Sequence, residues 1–395
     1  MPQAIITLNA GSSSLKFALF SADGDDFNQI IAGKIEGIGT APHLVAKDTG
    51  GKVLTEHRWR NGFNLTHEDF LRQLLDWIDD HLGGAELIGA GHRVVHGGAH
   101  FCQPARVTPS LMGALKALIP LAPLHQPHNL AAIEAVAAVR PHLAQVACFD
   151  TAFHHDQPAV ATRLAIPRAL SAEGVKRYGF HGISYEFIAR RLKEINPVLA
   201  AGKVIVAHLG NGASLCAMQG GRSIDTTMGF TALDGLVMGT RCGSIDPGVL
   251  LYLLQHKGMT PEELSQLLYD QSGLVGVSGV SSDMRALLES PDPRAREAVE
   301  LFTYRIAREA GALVSSLGGL DGLVFTAGIG ENAVDIRRLV CERLAWLGIS
   351  LEAEANARHA AIINAPDSRV VVSVISTDEE RMIARHTIET LRTLV

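Results

Sequence analysis

Two strand–turn–strand units of the same kind, one in each half of the chain, constrain this sequence more than any other feature. The first is Leu8-Asn9-Ala10-Gly11-Ser12-Ser13-Ser14-Leu15-Lys16-Phe17, flanked by apolar runs over 4–8 and 15–20. Short apolar runs bounded by turn residues read as buried strands, so Gly11 and three serine hydroxyls fall in the turn. Backbone N–H groups and hydroxyls in such a turn can cradle a phosphate. Asn9 offers a metal its carbonyl oxygen, and Lys16 offers phosphate a positive charge. An ordinary serine-rich hairpin has the same local pattern. The second unit runs from the apolar strand Lys203–Leu209 through Gly210-Asn211-Gly212-Ala213-Ser214 into a returning strand over 215–218. Two such loops in one chain point to two related halves that clamp one nucleotide.

A chain of 395 residues exceeds one ordinary core and suggests two domains. We place them at 1–150, completed by a helix over 380–395, and at 151–379, tightly joined with a cleft between. Hydrophobic residues make up 47% of the chain, which suits strands buried on both faces of an α/β protein. Helices are expected over 110–121 and 130–140, with Pro123 and Pro127 breaking the chain between them, and over 334–347. Ser184 is expected to cap a helix reaching Lys193, Thr260 with Pro261 to open another, and Asp378 to cap the last. Strands are expected at 145–150, 323–326 and 370–375, with a turn over 328–332.

The net charge of −6 gives no basic surplus for nucleic acid. No apolar run is long enough for a membrane span, and no signal peptide is apparent. Five scattered cysteines, an odd number without a Cys-x-x-Cys pair, fit a reducing cytoplasm.

No P-loop signature is present. Gly328-Ile329-Gly330-Glu331-Asn332-Ala333 matches Gly-x-Gly-x-x-Ala after a strand, which keeps a Rossmann dehydrogenase open as a rival. Its late position, and the two earlier loops it leaves unexplained, count against that reading. His92, His96 and His100 recur every fourth residue, but the valines and glycines around them favour a strand and turn over a metal-binding helix face. In a strand, Arg93 and Val95 point the same way, a cation beside an apolar side chain, as a small carboxylate with a short alkyl tail requires. His125, His181 and His208 sit beside element ends. Arg241 lies among small residues in Gly239-Thr240-Arg241-Cys242-Gly243, a setting suited to an oxyanion or phosphoryl group.

Taken in order, the segments Asn9 to Phe17, Gly91 to Gly98, Phe149 to His154, Arg177 to Ser184, His208 to Gly212, Gly235 to Arg241 and Thr326 to Asn332 resemble the motifs of the acetokinase family. The likeness spans essentially the whole chain. It implies a duplicated actin-like, ribonuclease H-like α/β fold with an interdomain active-site cleft. It implies a cytoplasmic homodimer that phosphorylates acetate with ATP and magnesium, manganese being an alternative ion. By the same resemblance, Asn9 and Glu379 hold or orient the metal, and Lys16 serves the phosphates. ATP falls to His208, Leu209, Gly210, Asn211 and Gly212, to Asp283, Met284 and Arg285, and to Gly328, Ile329, Gly330, Glu331 and Asn332. Arg93 takes the carboxylate. Val95, Leu124 and Phe180 wall the methyl pocket, and His125 lies in an active-site segment. His181 and Arg241 stabilise the transition state, and Asp150 is the essential acid.

Three segments depart from the family pattern. Thr231-Ala232-Leu233-Asp234-Gly235 stands where Thr-Pro-Leu-Glu-Gly is usual, so Ala232 replaces a pocket-wall proline. Arg241-Cys242-Gly243-Ser244 stands for Arg-Ser-Gly-Asp, and Asp378 for an asparagine before the paired glutamates. These bear on substrate range, with propionate or longer acids as the alternative to acetate, more than on reaction type. A non-catalytic nucleotide sensor or a chaperone-like ATPase is the remaining alternative. A carboxylate substrate is already ionised at neutral pH and needs no general base, so Asp150 is expected to orient Arg93 or a metal-bound water.

Overall fold

The apolar run that opens the chain becomes the centre of a sheet. The computed structural model describes residues 1–11, 14–23, 27–59 and 65–393; Ser12 and Ser13 of the first turn lie outside them. The chain divides into two compact units, Met1–Ala152 with Asp378–Val395, and Phe153–Thr377.

In the first unit the strands are β1 (Gln3–Ala10), β2 (Ser14–Ser21), β3 (Gln29–Glu36), β4 (His43–Asp48), β5 (Val53–Arg58), β6 (Glu86–Val94), β7 (Ala105–Arg106) and β8 (Ala144–Phe149). They form one sheet in the order β5-β4-β3-β2-β1-β6-β8-β7. β1 to β5 run as an antiparallel meander, whereas β6 and β8 lie parallel to β1.

Side-chain alternation gives this sheet two apolar faces. Ile6, Leu8, Leu15, Phe17 and Ala90 pack with Phe70, Leu74, Ala132 and Val136 of the helices His67–His81 and Gln126–Val139. Ile5, Ala18 and Phe20 pack with Ala384 and Ile388 of the last helix, Glu379–Arg392. Gly89 and Gly91 of β6 let that helix approach closely. A Cβ on Gly91 would lie 2.7 Å from Ile383 Cγ2, and one on Gly89 2.6 Å from Leu391 Cδ1.

The second unit repeats the core of this topology. β9 (Lys203–Leu209), β10 (Ala213–Gln219), β11 (Arg222–Thr226), β12 (Gly322–Thr326) and β13 (Val371–Val374) form a sheet ordered β11-β10-β9-β12-β13. This is the order β3-β2-β1-β6-β8, with the same pattern of antiparallel and parallel neighbours. The long helix Pro293–Leu317 packs on β9, β10 and β11.

Local expectations fail in three places. Pro127 does not break the chain; it sits in the first turn of Gln126–Val139, where a missing N–H removes no helical bond. Ser184 does not cap its helix. The cap of Gly182–Ile195 is His181 in the left-handed conformation, and Ser184 lies buried one turn in. Residues 328–332 are not a turn but most of a short helix, Ala327–Asn332, which Ala327 opens at φ 64°. Among the described residues no helix is long and apolar enough to cross a membrane.

His92, His96 and His154 are buried with the core. His92 and His96 belong to the first unit, and His154 to the second, between Ser223 Oγ and the Phe180 carbonyl. Burial lowers all three to a pKa of about 4. Each folded value lies below the unfolded one, so the stabilisation is complete above about pH 6.5 and is lost as pH falls from there toward 4. Each histidine contributes on the order of 3 kcal/mol to that loss. Urea midpoints measured between pH 7.5 and 4.5 should fall steeply, and His154→Gln should flatten the slope; midpoints constant over this range would contradict the assignment.

Candidate active site

The alternation that builds the core also aligns a polar row. Ile5 and Ala18 face the last helix, so Asn9 of β1 and Lys16 of β2, directly paired across the hairpin, share that face. Gly89 and Gly91 put Arg93 there too, and Arg93 pairs with Cys148, two residues before Asp150. Asn9, Arg93 and Asp150 sit at the carboxyl ends of β1, β6 and β8, where open α/β sheets bind ligands. Glu379 and Glu380 arrive from the first turn of the last helix, whose N-terminal dipole favours their charge.

The row is joined by hydrogen bonds. Arg93 Nη2 donates to Asp150 Oδ2 at 2.5 Å and Nη1 to Asn9 Oδ1 at 3.3 Å. Asn9 Nδ2 donates to Glu379 Oε2 at 3.4 Å. Burial pushes the Asp150 carboxyl up to about 6; Arg93 opposes the shift and Glu379 adds to it. For Arg93, burial works against the charge, but Asp150, Glu379 and Glu380 together outweigh it and raise its pKa. Burial and Glu379 raise Glu380, against the pull of Lys16.

Arg93 Nε and Asp150 Oδ1 are buried without a hydrogen-bond partner among the described residues. No group of three or more His, Cys, Asp and Glu side chains among those residues forms a metal cage. The row instead offers hard oxygens, the Asn9 carbonyl and the Glu379 carboxylate, beside the unpartnered Asp150 Oδ1. That donor set fits Mg2+, which takes one or two carboxylates and keeps water and phosphate oxygens for its other positions.

Two side chains that the sequence reading missed brace this end of the sheet. Asn129 accepts from Val95 N–H at 2.9 Å and donates to the Ala10 carbonyl at 2.7 Å, tying the end of β1 to the end of β6. Gln126 accepts from His96 N–H and donates to its carbonyl. Both are polar residues on the otherwise apolar buried side of the helix Gln126–Val139, and that contrast is the signal that could have found them. Val95 is buried. Leu124 is partly exposed in the bend before His125, which caps that helix without a side-chain hydrogen bond to it.

In the second unit, His181 and Arg241 converge on the turn between β9 and β10, where Gly210 N–H bonds the Gly212 carbonyl. A Cβ on Gly212 would lie 2.9 Å from Arg241 Nη2 and 3.2 Å from His181 Nε2. Arg241 Nη1 donates to the Ala232 carbonyl at 2.7 Å, so Ala232 positions the guanidinium through its backbone. The His181 ring stacks on His208, the next-to-last residue of β9, with centroids 4.2 Å apart. Phe180 is buried beside His181, and its carbonyl accepts from His154.

Leu209 is buried, and the Asn211 carbonyl accepts from Gly239 N–H at 2.9 Å. Asp283 caps the helix Met284–Glu289 and pairs with exposed Arg285, while Met284 turns into the core. Residues 328–332 are braced by Arg337, a fully buried guanidinium that also escaped the sequence reading. Its Nη1 donates to the carbonyls of Gly330 and Glu331, at the C-terminal end of the short helix, where a cation is favoured.

Two of the departures from the family pattern meet. Ser244 Oγ donates to Asp234 Oδ1 at 2.7 Å, where the usual pair would set two carboxylates side by side.

This geometry can be set beside known proteins. The profile of the acetokinase family matches residues 4–385. Acetate kinases of Rhodopseudomonas palustris (strain TIE-1) and Methylocella silvestris are 55% and 49% identical to the chain over 391 and 398 residues, covering 98% and 99% of it and 98% of each relative. A propionate kinase from Francisella tularensis superposes with a TM-score of 0.91 at 37% identity, covering 98% of this chain and 99% of that one. Porphyromonas gingivalis acetate kinase gives 0.85 at 35%, covering 98% and 100%. The match across both halves sets aside the dehydrogenase reading of residues 328–333 and makes the fold the duplicated actin-like, ribonuclease H-like one. The chain belongs to the acetokinase family.

Proposed function

We propose that this chain is an acetate kinase, transferring the γ-phosphoryl group of ATP reversibly to acetate by direct in-line attack to give acetyl phosphate and ADP. The observation that carries the reading is the buried Arg93, fixed by Asp150 and Asn9, in a chain of this family. A guanidinium held on one side by a carboxylate keeps its planar donor set oriented for a second carboxylate, the substrate. Acetate arrives ionised, so no side chain must take a proton from it. Asp150 is therefore the orienter of Arg93.

Transfer joins two anions, and the principal task is to spread charge over the equatorial phosphoryl oxygens. We assign that task to Arg241 and His181. Lys16, residues 208–212, Asp283 to Arg285 and residues 328–332 are assigned to ATP, and Val95, Leu124, His125, Phe180 and Ala232 to the acid substrate. Asn9 and Glu379 would hold Mg2+, which neutralises phosphate charge when bound.

A second reading, a propionate or short-chain acyl kinase, is favoured by Ala232 in place of proline and by the likeness to the Francisella propionate kinase. One extra buried methylene is worth about 0.8 kcal/mol, so discrimination between the acids should be modest.

The reading extends to assembly. The helix Pro247–Gln255 is strongly apolar yet buries none of its residues; Leu251 is 54% and Tyr252 49% exposed. An apolar patch of this kind marks an interface, and a second copy of the chain is its proposed occupant. None of the five cysteines forms a disulfide among the described residues, which suits a cytoplasmic protein.

Hydroxamate trapping of acyl phosphate from ATP, Mg2+ and acetate, run beside propionate and butyrate, tests the reaction. Acetate should give product with propionate weaker; equal or better propionate selects the second reading, and no product from any acid rejects both. Arg241→Ala should lower kcat by roughly 10²–10³; a variant with full kcat would remove Arg241 from the transition state. Gly212→Ala should leave the melting temperature nearly unchanged, since the far end of Arg241 can move aside, yet lower kcat by about 10² through misplacement. Leu251→Asp should convert a dimer into a monomer in sedimentation; a monomeric parent, or a variant that stays dimeric, rejects the interface.

A further inference from the structure

His181 is held in a conformation that β-carbon-bearing residues rarely adopt, with φ at 58°, between Gly179 and Gly182. Such strain persists only where surrounding contacts over-determine it. One of those contacts is the Ser214 hydroxyl, 2.8 Å from His181 Nδ1. The same hydroxyl lies 2.5 Å from the phenolic oxygen of Tyr185. Ser214 and Tyr185 are fully buried, and neither side chain has another hydrogen-bond partner among the described residues.

The hydrogens in this chain can be counted. Tyr185 carries one, and its only acceptor is Ser214 Oγ. Once Ser214 accepts it, the serine's own hydrogen has one acceptor left, His181 Nδ1. If instead Nδ1 carried the proton and gave it to Ser214, one of the two buried O–H groups would have no acceptor. Buried donors are rarely left so. Burial also raises the Tyr185 pKa well above its ordinary value, so the phenol keeps its hydrogen.

We propose that the Tyr185–Ser214 pair fixes His181 as the neutral tautomer with its hydrogen on Nε2, the nitrogen that lies beside Gly212 and Arg241 Nη2. This rests on the reading of His181 as a donor to the transferring group. The stack on His208 favours the same state, since two imidazolium rings with centroids 4.2 Å apart would repel. A neutral imidazole held as an N–H donor is an established way to stabilise developing negative charge. Ser214 and Tyr185 are then positioning residues. They need no contact with substrate; they decide which ring nitrogen of His181 bears the hydrogen.

The test is ¹⁵N NMR of histidine-labelled protein at pH 7.5, with the His181 signals assigned by their loss in His181→Gln. The wild type should show a pyridine-type Nδ1 and a pyrrole-type Nε2. Ser214→Ala should abolish that preference and lower kcat roughly tenfold, as loss of an outer-shell partner does, with KM for acetate and ATP nearly unchanged. Tyr185→Phe should keep the tautomer, because Ser214 still donates to Nδ1, with a smaller loss in kcat. A protonated Nδ1 in the wild type overturns the proposal, as does a Ser214→Ala variant with wild-type spectrum and kcat. Should that variant fail to fold, the wild-type spectrum decides alone. A correct tautomer together with a His181→Gln enzyme of full kcat would instead overturn the catalytic reading of His181 and leave the tautomer assignment standing.

Discussion

The guanidinium of Arg93 is the charge around which the ends of three strands are organised. Burying it is costly, and the charges of Asp150 and the acids of the last helix offset that cost. Removing either member of such a pair strands a charge in low dielectric, whereas the intact pair adds little to stability. Its value is geometric. The Asp150 side chain comes from the end of β8, Asn9 from β1 and Glu379 from the last helix, so one arginine records the relative position of three elements. Asn129 makes the same measurement through the backbone, from Ala10 to Val95.

The repeated topology explains why the polar groups occur where they do. In each sheet the first strand returns through a tight turn and has a parallel neighbour on its other side. The next-to-last residue of the first strand therefore faces both the returning strand and the following one. That residue is Asn9 in the first unit, paired with Lys16, and His208 in the second, paired with Ser214. The chemistry differs because the neighbours differ. Carboxylates and an arginine surround Asn9, and a second imidazole stacks on His208. One backbone plan thus yields an acidic, oxygen-rich row in one unit and a row rich in hydrogen-bond donors in the other.

Much of this was legible in the residues. The two hairpins are written as apolar runs around small residues, and β9 matches its expected span. The polar row follows from alternation once the strands are known. What escaped was of two kinds. Local signals failed where glycine or proline has two uses: Pro127 starts a helix, and the glycines of 328–332 tolerate one. A left-handed histidine cap has no compositional signature, so Ser184 was the natural but mistaken choice. Tertiary partners were invisible in a different way. Asn129 acts on the Ala10 carbonyl and Arg337 on the carbonyls of Gly330, Glu331 and Asn356; a polar residue on a buried face hints that a partner exists but does not say which backbone group it is. The strands β3 to β5 and the helix His67–His81 carried no motif and went unassigned.

The last helix also sets an order of events during synthesis. Phe153–Thr377 is one uninterrupted stretch, whereas the unit around Arg93 needs both ends of the chain. As translation proceeds, the first sheet is complete in its strands long before its covering helix exists, and the shallow trough over Gly89 and Gly91 stays uncovered until the helix Glu379–Arg392 has been made. The second unit can finish while the first waits. Loss of the helix Glu379–Arg392 therefore strikes the opening strands: it uncovers Ile5, Ala18 and Phe20 and removes Glu379 from Asn9 in a single step.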